Sequence, residues 1–170
     1  MDEKTIALRL AVAALLGGVL GLEREVRGQD AGLRTHILVS LGACCFTLAS
    51  VYIEVLLSTS DALEGARGDI SRIASQVVVG IGFLGAGVIL RHGGQVKGLT
   101  TAANLWLTAS VGLAAGLGFY VAAGGTVVVA LLSLVGLRPL ERAIARYREK
   151  RGLTADRDVA ASRDDSRDAR

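Results

Sequence analysis

Within the stretch GLEREVRGQDAGLRTH, six charged side chains, Glu23, Arg24, Glu25, Arg27, Asp30 and Arg34, fall inside twelve consecutive residues. Arginine presents a planar fork of N–H donors that matches a carboxylate, and such charge-assisted bonds are roughly twice as strong as neutral ones. On these residues alone a solvated, positive-inside loop is the leading reading, and a hydrogen-bonded network of Glu23, Arg24 and Arg34 is the alternative. His36 follows closely, so Glu23 and His36 could also exchange protons with a lipid substrate, the basis of a weaker enzymatic reading. Two more charges stand alone, Arg9 in TIALRLAVAALLGGVL and Glu54 in FTLASVYIEVLL. A charge within an apolar span costs roughly 2.5–3.5 kcal/mol at its centre and less near its ends, so each needs a partner, and the two are read as mates.

Uncharged polar chemistry is concentrated in LTTAANLWLTAS. On a helix, Thr101, Asn104 and Thr108 come within about 60° of one another, with Thr100 beside them. Such groups either bond across helices, for roughly 0.6–2 kcal/mol each, or line a path for ions or water. GIGFLGAGVI holds a literal G-x-G-x-x-G at Gly80, Gly82 and Gly85, the spacing of a dinucleotide-binding loop. That fingerprint needs a preceding strand and an acidic residue about 20 positions on. The chain has no Asp or Glu between Asp69 and Glu141, so no nucleotide cofactor is expected.

Long uncharged segments must position these residues. Of 170 residues 51% are hydrophobic, 22 are Gly and one is Pro, too apolar a mixture for a soluble domain. Residues 10–22, 35–53, 73–90 and 98–137 carry no charged side chain. About 20 apolar residues cross a bilayer, and the last gap is long enough for two crossings, with Gly116, Leu117 and Gly118 turning between them. The expected fold is all-α: a polytopic membrane protein of about five transmembrane helices, near residues 5–22, 35–57, 72–90, 99–116 and 119–138. A re-entrant hairpin is the alternative for the last pair. The transmembrane domain covers 1–138. Residues 139–151 form a basic amphipathic cytoplasmic helix, read either as lying on an anionic membrane face or as a solvated extension of the fifth span. Residues 152–170 are too poor in apolar side chains to fold and are expected to be disordered.

Arg24, Arg27, Arg34, Arg91, Lys97 and the basic run from Arg138 to Arg151 fall in one set of alternating loops, against Lys4, Arg67 and Arg72 in the other. Basic residues in short loops stay cytoplasmic, so the N-terminus is placed outside and the C-terminus inside. The opening MDEKT is acidic and does not read as a cleavable signal. Cys44 and Cys45 read as small packing residues rather than a redox or metal pair.

Small residues set how these helices meet. Gly82, Gly85 and Ala86 share one face of the third helix, and Gly80 and Gly87 lie nearly opposite. Small faces let backbones approach in lipid, so both sides are expected to be used, the second within the subunit or in a symmetric homodimer. Ala13, Gly17 and Gly21 repeat the device in the first helix and Ser110, Ala114 and Gly118 in the fourth. Trp106 points away from Asn104 and fills space between helices or subunits.

GLEREVRGQDAGLRTHILVSLGA, RIASQVVVGIGFLGAGVIL and VKGLTTAANLWLTASVGLAAGLG together resemble the hallmark segments of the MgtC/SapB family of bacterial inner-membrane proteins, over residues 5 to about 137. The family's motif positions fall on Arg9, Glu23, Arg24, Gly32, Leu33, Arg34, Gly82, Gly85, Gly87, Gly98, Thr100, Thr101, Ala102, Ala103 and Trp106. Asn104 stands where a hydroxyl residue is common. The resemblance implies an inner-membrane location, a link to survival in low magnesium and, in pathogens, to life inside host cells, and it turns the expectation for Glu23, Arg24 and Arg34 from a solvated loop to a network. Some members carry a folded cytosolic domain after the last helix, where this chain has only about 30 polar residues.

The resulting expectation is a component of cation homeostasis, with Mg²⁺ as ligand or transported ion, and no enzymatic turnover. A transport or permeation role, with acidic groups near the inner loop meeting the ion, is the leading mechanism, since hard oxygen ligands suit Mg²⁺. The alternative is a regulator that contacts another membrane protein through its small faces. Membrane lipid and a second copy are the expected partners, and nucleic acid is not.

Overall fold

The computed structural model describes residues 1–58, 70–92 and 95–151. The expected tail 152–170 and the outer-loop Arg67 lie outside them. The described elements are α1 (Glu3–Val26), α2 (Leu33–Ser58), α3 (Ile70–Val88), a hairpin of β1 (Leu90–His92) and β2 (Gln95–Lys97), α4 (Leu99–Leu117), α5 (Tyr120–Leu131), a π-helical segment Leu132–Gly136, and α6 (Arg138–Lys150). The five expected spans correspond to α1 to α5 with the π segment, and the small antiparallel hairpin, in which Arg91 opposes Val96, replaces a plain loop.

α1 stops at a glycine. Gly28 adopts φ +62°, the left-handed conformation that side chains resist. Its N–H donates to the Glu25 carbonyl at 3.0 Å and that of Gln29 to the Arg24 carbonyl at 3.1 Å, the double bond that closes a helix C-terminus. The chain then reverses within a few residues and lays α2 along α1. A Cβ on Gly17 would stand 2.7 Å from Ser40 Cβ, and one on Gly21 would stand 2.8 Å from Leu33 Cα. Ser40 Oγ donates to the Ala13 carbonyl at 2.8 Å, which ties the two helices at the same level. The expected Ala13–Gly17–Gly21 stripe is therefore the α1–α2 seam.

α4 lies in the middle, packed on α1, α2, α3 and α5. Its close approaches come from Gly112, which backs onto the Ser40 carbonyl, and Gly116, whose Cβ would stand 2.7 Å from Thr47 Cβ. The close-packed face of α4 is thus nearly opposite the expected Ser110–Ala114–Gly118 stripe; Gly118 serves instead as the turn, at φ +84°. Three apolar clusters follow from this placement: Ala43, Ile81, Leu105 and Ala109 join α2, α3 and α4; Ala13, Cys44, Leu48 and Ala115 join α1, α2 and α4; Leu20, Val111, Ala123 and Val127 join α1, α4 and α5.

α3 corrects a second expectation. Gly85 meets Ala102, at 3.6 Å from an added Cβ, but Gly80, Gly82 and Gly87 have nothing within 4 Å. Ala86 is exposed as well, so one side of α3 packs within the chain and the other stands open. The third helix is peripheral and the fourth central. Trp106 is half exposed and points outward from α4.

The outer surface is apolar: Val121 is 91%, Phe83 82% and Leu38 68% exposed. Glu3–Val26, Leu33–Leu56 and the run Tyr120–Arg148 are each long and apolar enough to cross a bilayer, and Ser75–Val88 is a shorter apolar helix. The polar groups turn inward towards α4, the arrangement expected when the solvent is lipid.

A buried charge cluster at one end of the helix bundle

The end of α1 and the beginnings of α2 and α4 come together at one pole of the molecule. Arg24, in the last turn of α1, is buried there. Its Nη2 donates to Gln29 Oε1 at 2.7 Å and to Thr101 Oγ1 of α4 at 3.4 Å. Its Nη1 lies 4.0 Å from Glu23 Oε2, with the two side chains only 5% and 9% exposed. The second carboxylate oxygen of Glu23 pairs with Arg27 Nε, one turn on. Glu25 points the other way and accepts the Leu33 N–H at 2.9 Å, placing a negative charge at the start of α2 where the helix dipole favours it.

The structure brings Glu23 and Arg24 together with Arg27, Gln29 and Thr101, and leaves Arg34 outside the cluster. Arg34 is exposed. The face of α2 that meets α1 carries Leu33, His36 and Ser40, and a rotation of about 100° per residue carries Arg34 away from it. Arg27 takes the second cationic position, and its i,i+4 spacing from Glu23 was readable in the sequence. Gln29 had no such signal, because only the reversal at Gly28 brings it back to Arg24.

One turn further into the molecule, His36 is fully buried. Its Nδ1 lies 2.8 Å from the Gly32 carbonyl and its Nε2 lies 3.0 Å from Asn104 Nδ2. A carbonyl can only accept, so Nδ1 carries the hydrogen and Nε2 accepts from the amide: the imidazole is neutral and both nitrogens are engaged. Thr108 Oγ1 donates to the Asn104 carbonyl at 2.8 Å. Thr101, Asn104 and Thr108 are all buried, as their shared face requires. Thr100 is exposed on the rim of a groove of about 710 Å³ between α4 and α5, where Thr126 and Ser133 also lie. A second groove, of about 930 Å³ and lined by Leu38, Phe46, Gln76, Gly80 and Leu84, runs between α2 and α3.

At the opposite pole, Arg9 Nη1 donates to the Gly116 carbonyl at 2.7 Å. The guanidinium stands against Gly118, with Nη2 3.2 Å from where a Cβ would be. Arg9 therefore caps the C-terminal end of α4 and is not paired with Glu54. The free carbonyls at a helix end carry partial negative charge and suit a cation without the ordering of a second long side chain.

Among the described residues, no group of three or more His, Cys, Asp or Glu is placed to hold a metal ion. Cys44 is buried and Cys45 exposed, both as free thiols.

Long apolar helices packed through glycines around a polar central helix, with charge buried at their ends, define a polytopic α-helical membrane protein. The chain belongs to the MgtC family, whose model matches residues 10–143. It is 46% identical over 115 residues to the "Putative magnesium transporter YhiD" of Escherichia coli (strain K12), covering 66% of this chain and 51% of that one. It is 44% identical over 142 residues to "Protein MgtC" of Salmonella typhimurium, covering 81% and 56%. It is 44% identical over 140 residues to "Uncharacterized protein slr0014" of Synechocystis, covering 82% and 55%. The chain spans about half the length of these relatives. No solved structure matches it.

Proposed function

We propose that this protein serves Mg²⁺ homeostasis as a non-conducting membrane component that acts by contact with another membrane protein. The family and the printed name of YhiD supply the ion. The observation that carries the mechanism is the commitment of the central helix's polar groups to partners within the chain: Thr101 to Arg24, Asn104 to His36, Thr108 to the backbone carbonyl of Asn104. A hydrated cation crossing this chain needs oxygen ligands it can borrow and return, and the Thr101 and Thr108 hydroxyls are engaged within the packed interior. This moves the reading from a permeation role to contact. The open glycine face of α3 that carries Gly80 and Gly87 is assigned as the contact surface, since small residues let a partner helix approach closely. No catalytic turnover is assigned.

A second reading keeps transport but places the path between copies of the chain. It is favoured by the Thr100, Asn104, Thr126 and Ser133 groups that line the groove between α4 and α5. Purified protein in liposomes separates the two: contact predicts Mg²⁺ flux no greater than in protein-free vesicles, whereas saturable flux abolished by Asn104→Leu establishes the second reading. In cells lacking the protein, the native chain should restore growth in low Mg²⁺ and Gly87→Leu, although folded and inserted, should not.

A further inference from the structure

The run Tyr120–Arg148 is 29 residues long. As a helix it extends roughly 44 Å, against an apolar thickness of about 30 Å, so its last turns emerge from the hydrocarbon. Those turns are α6, RPLERAIARYREK. Residues 138–151 hold six Arg or Lys against two Glu, a net charge of +4. Leu140, Ile144 and Tyr147 fall within about 60° of one another on one face, and they are 56%, 48% and 56% exposed. Arg148 borders this stripe, whereas Arg142 and Arg146 lie more than about 120° from its centre. The Arg151 guanidinium lies 5.0 Å over the Tyr147 ring, presenting an aromatic and a cation together, as residues at headgroup level do. The π-helical segment Leu132–Gly136 precedes α6 and Pro139 is its second residue, and both interrupt the regular hydrogen-bond ladder where a helix can bend.

We propose that α6 is a membrane-surface anchor specific for anionic lipid. Its Leu140–Ile144–Tyr147 stripe lies in the interface of the bilayer leaflet that α5 leads to, and its arginines meet lipid phosphates. The charge selects the occupant: an apolar stripe on a segment of net +4 is complementary to a negatively charged headgroup surface and held next to it by the span. Each basic side chain near such a surface raises partitioning by about fivefold, an effect that salt screens.

The test uses the full chain reconstituted in vesicles of pure phosphatidylcholine or with about a third phosphatidylglycerol. Ile144→Cys, on the stripe, and Ala145→Cys, on the opposite side of α6, are labelled with a water-soluble maleimide; the parent, with Cys44 and Cys45 mid-span, gives the background. Labelling of Ile144→Cys should slow at least tenfold in the anionic vesicles, recover in high salt, and recover when Arg142, Arg146 and Arg148 are changed to Gln. Ala145→Cys should label at one rate in both. Equal labelling of Ile144→Cys in the two compositions overturns the proposal. So does equal protection of both cysteines, or protection that persists in lipid-free detergent, since α6 would then be covered by protein rather than lipid.

Discussion

Arg24 and Arg34 have the same chemistry and lie ten residues apart, yet the fold treats them oppositely. Arg24 holds Gln29, Thr101 and Glu23 in a buried site, while Arg34 faces outward. Removing Arg24 takes the donor from Gln29 and Thr101 and leaves Glu23 with Arg27 alone, and a buried polar group left without its partner costs about 1–3 kcal/mol. Arg24→Ala should therefore lower the thermal midpoint of the detergent-solubilised protein strongly, and Arg34→Ala should stay within about 0.5 kcal/mol of the parent. Equal effects would remove the distinction drawn between them. Arg9 gives a second test at this scale. As the cap of α4 it contributes through carbonyls and the helix dipole, an effect of up to about 2 kcal/mol in partly buried settings. Arg9→Gln should destabilise while Glu54→Gln does little, and the two should be additive in a double-mutant cycle. A coupling of more than about 0.5 kcal/mol would restore the ion pair.

Among the elements, glycines with similar sequence surroundings have opposite duties. Gly17 and Gly116 sit where a Cβ would come within 2.7 Å of a neighbouring helix's side chain, and Gly21 within 2.8 Å of Leu33 Cα. Overpacking there typically costs about 1–3 kcal/mol. Gly80 and Gly82 meet nothing within 4 Å, and replacing a helical glycine by alanine gains about 0.5–1 kcal/mol. Gly17→Ala, Gly21→Ala and Gly116→Ala should then lower the unfolding midpoint and Gly80→Ala or Gly82→Ala raise it. A destabilised Gly82→Ala in lipid-free monomeric protein would mean that α3 packs on the chain through its second face after all. Helical spacing alone exposed the small faces; which one another helix covers depends on where α4 runs.

At the level of the whole molecule, the charged pole at the end of α1 and the capped pole at the end of α4 lie at opposite ends of the central helix. The basic loops sit with the charged pole, so that pole is expected on the cytoplasmic side. Reporters fused between α3 and α4 and after α6 should be cytoplasmic, and those between α2 and α3 extracytoplasmic. The opposite polarity would invert the molecule and move both α6 and the Arg24 cluster to the outer face.

The number and approximate limits of the spans were legible in the sequence because a bilayer demands uninterrupted apolar length, which a local count of charges measures. The polar face of α4 was legible for the same kind of reason, since helical rotation fixes which side chains share a side. The partners of these groups were not legible. That Arg9 meets the Gly116 carbonyl, that Asn104 meets His36 and that Gln29 folds back on Arg24 are contacts between segments 107, 68 and 5 residues apart. Backbone carbonyls at a helix end carry no residue-type signal, and a reversal at one glycine redirects everything after it. Pattern determined what must be buried in this protein; only the packing of α4 among its neighbours decided against what.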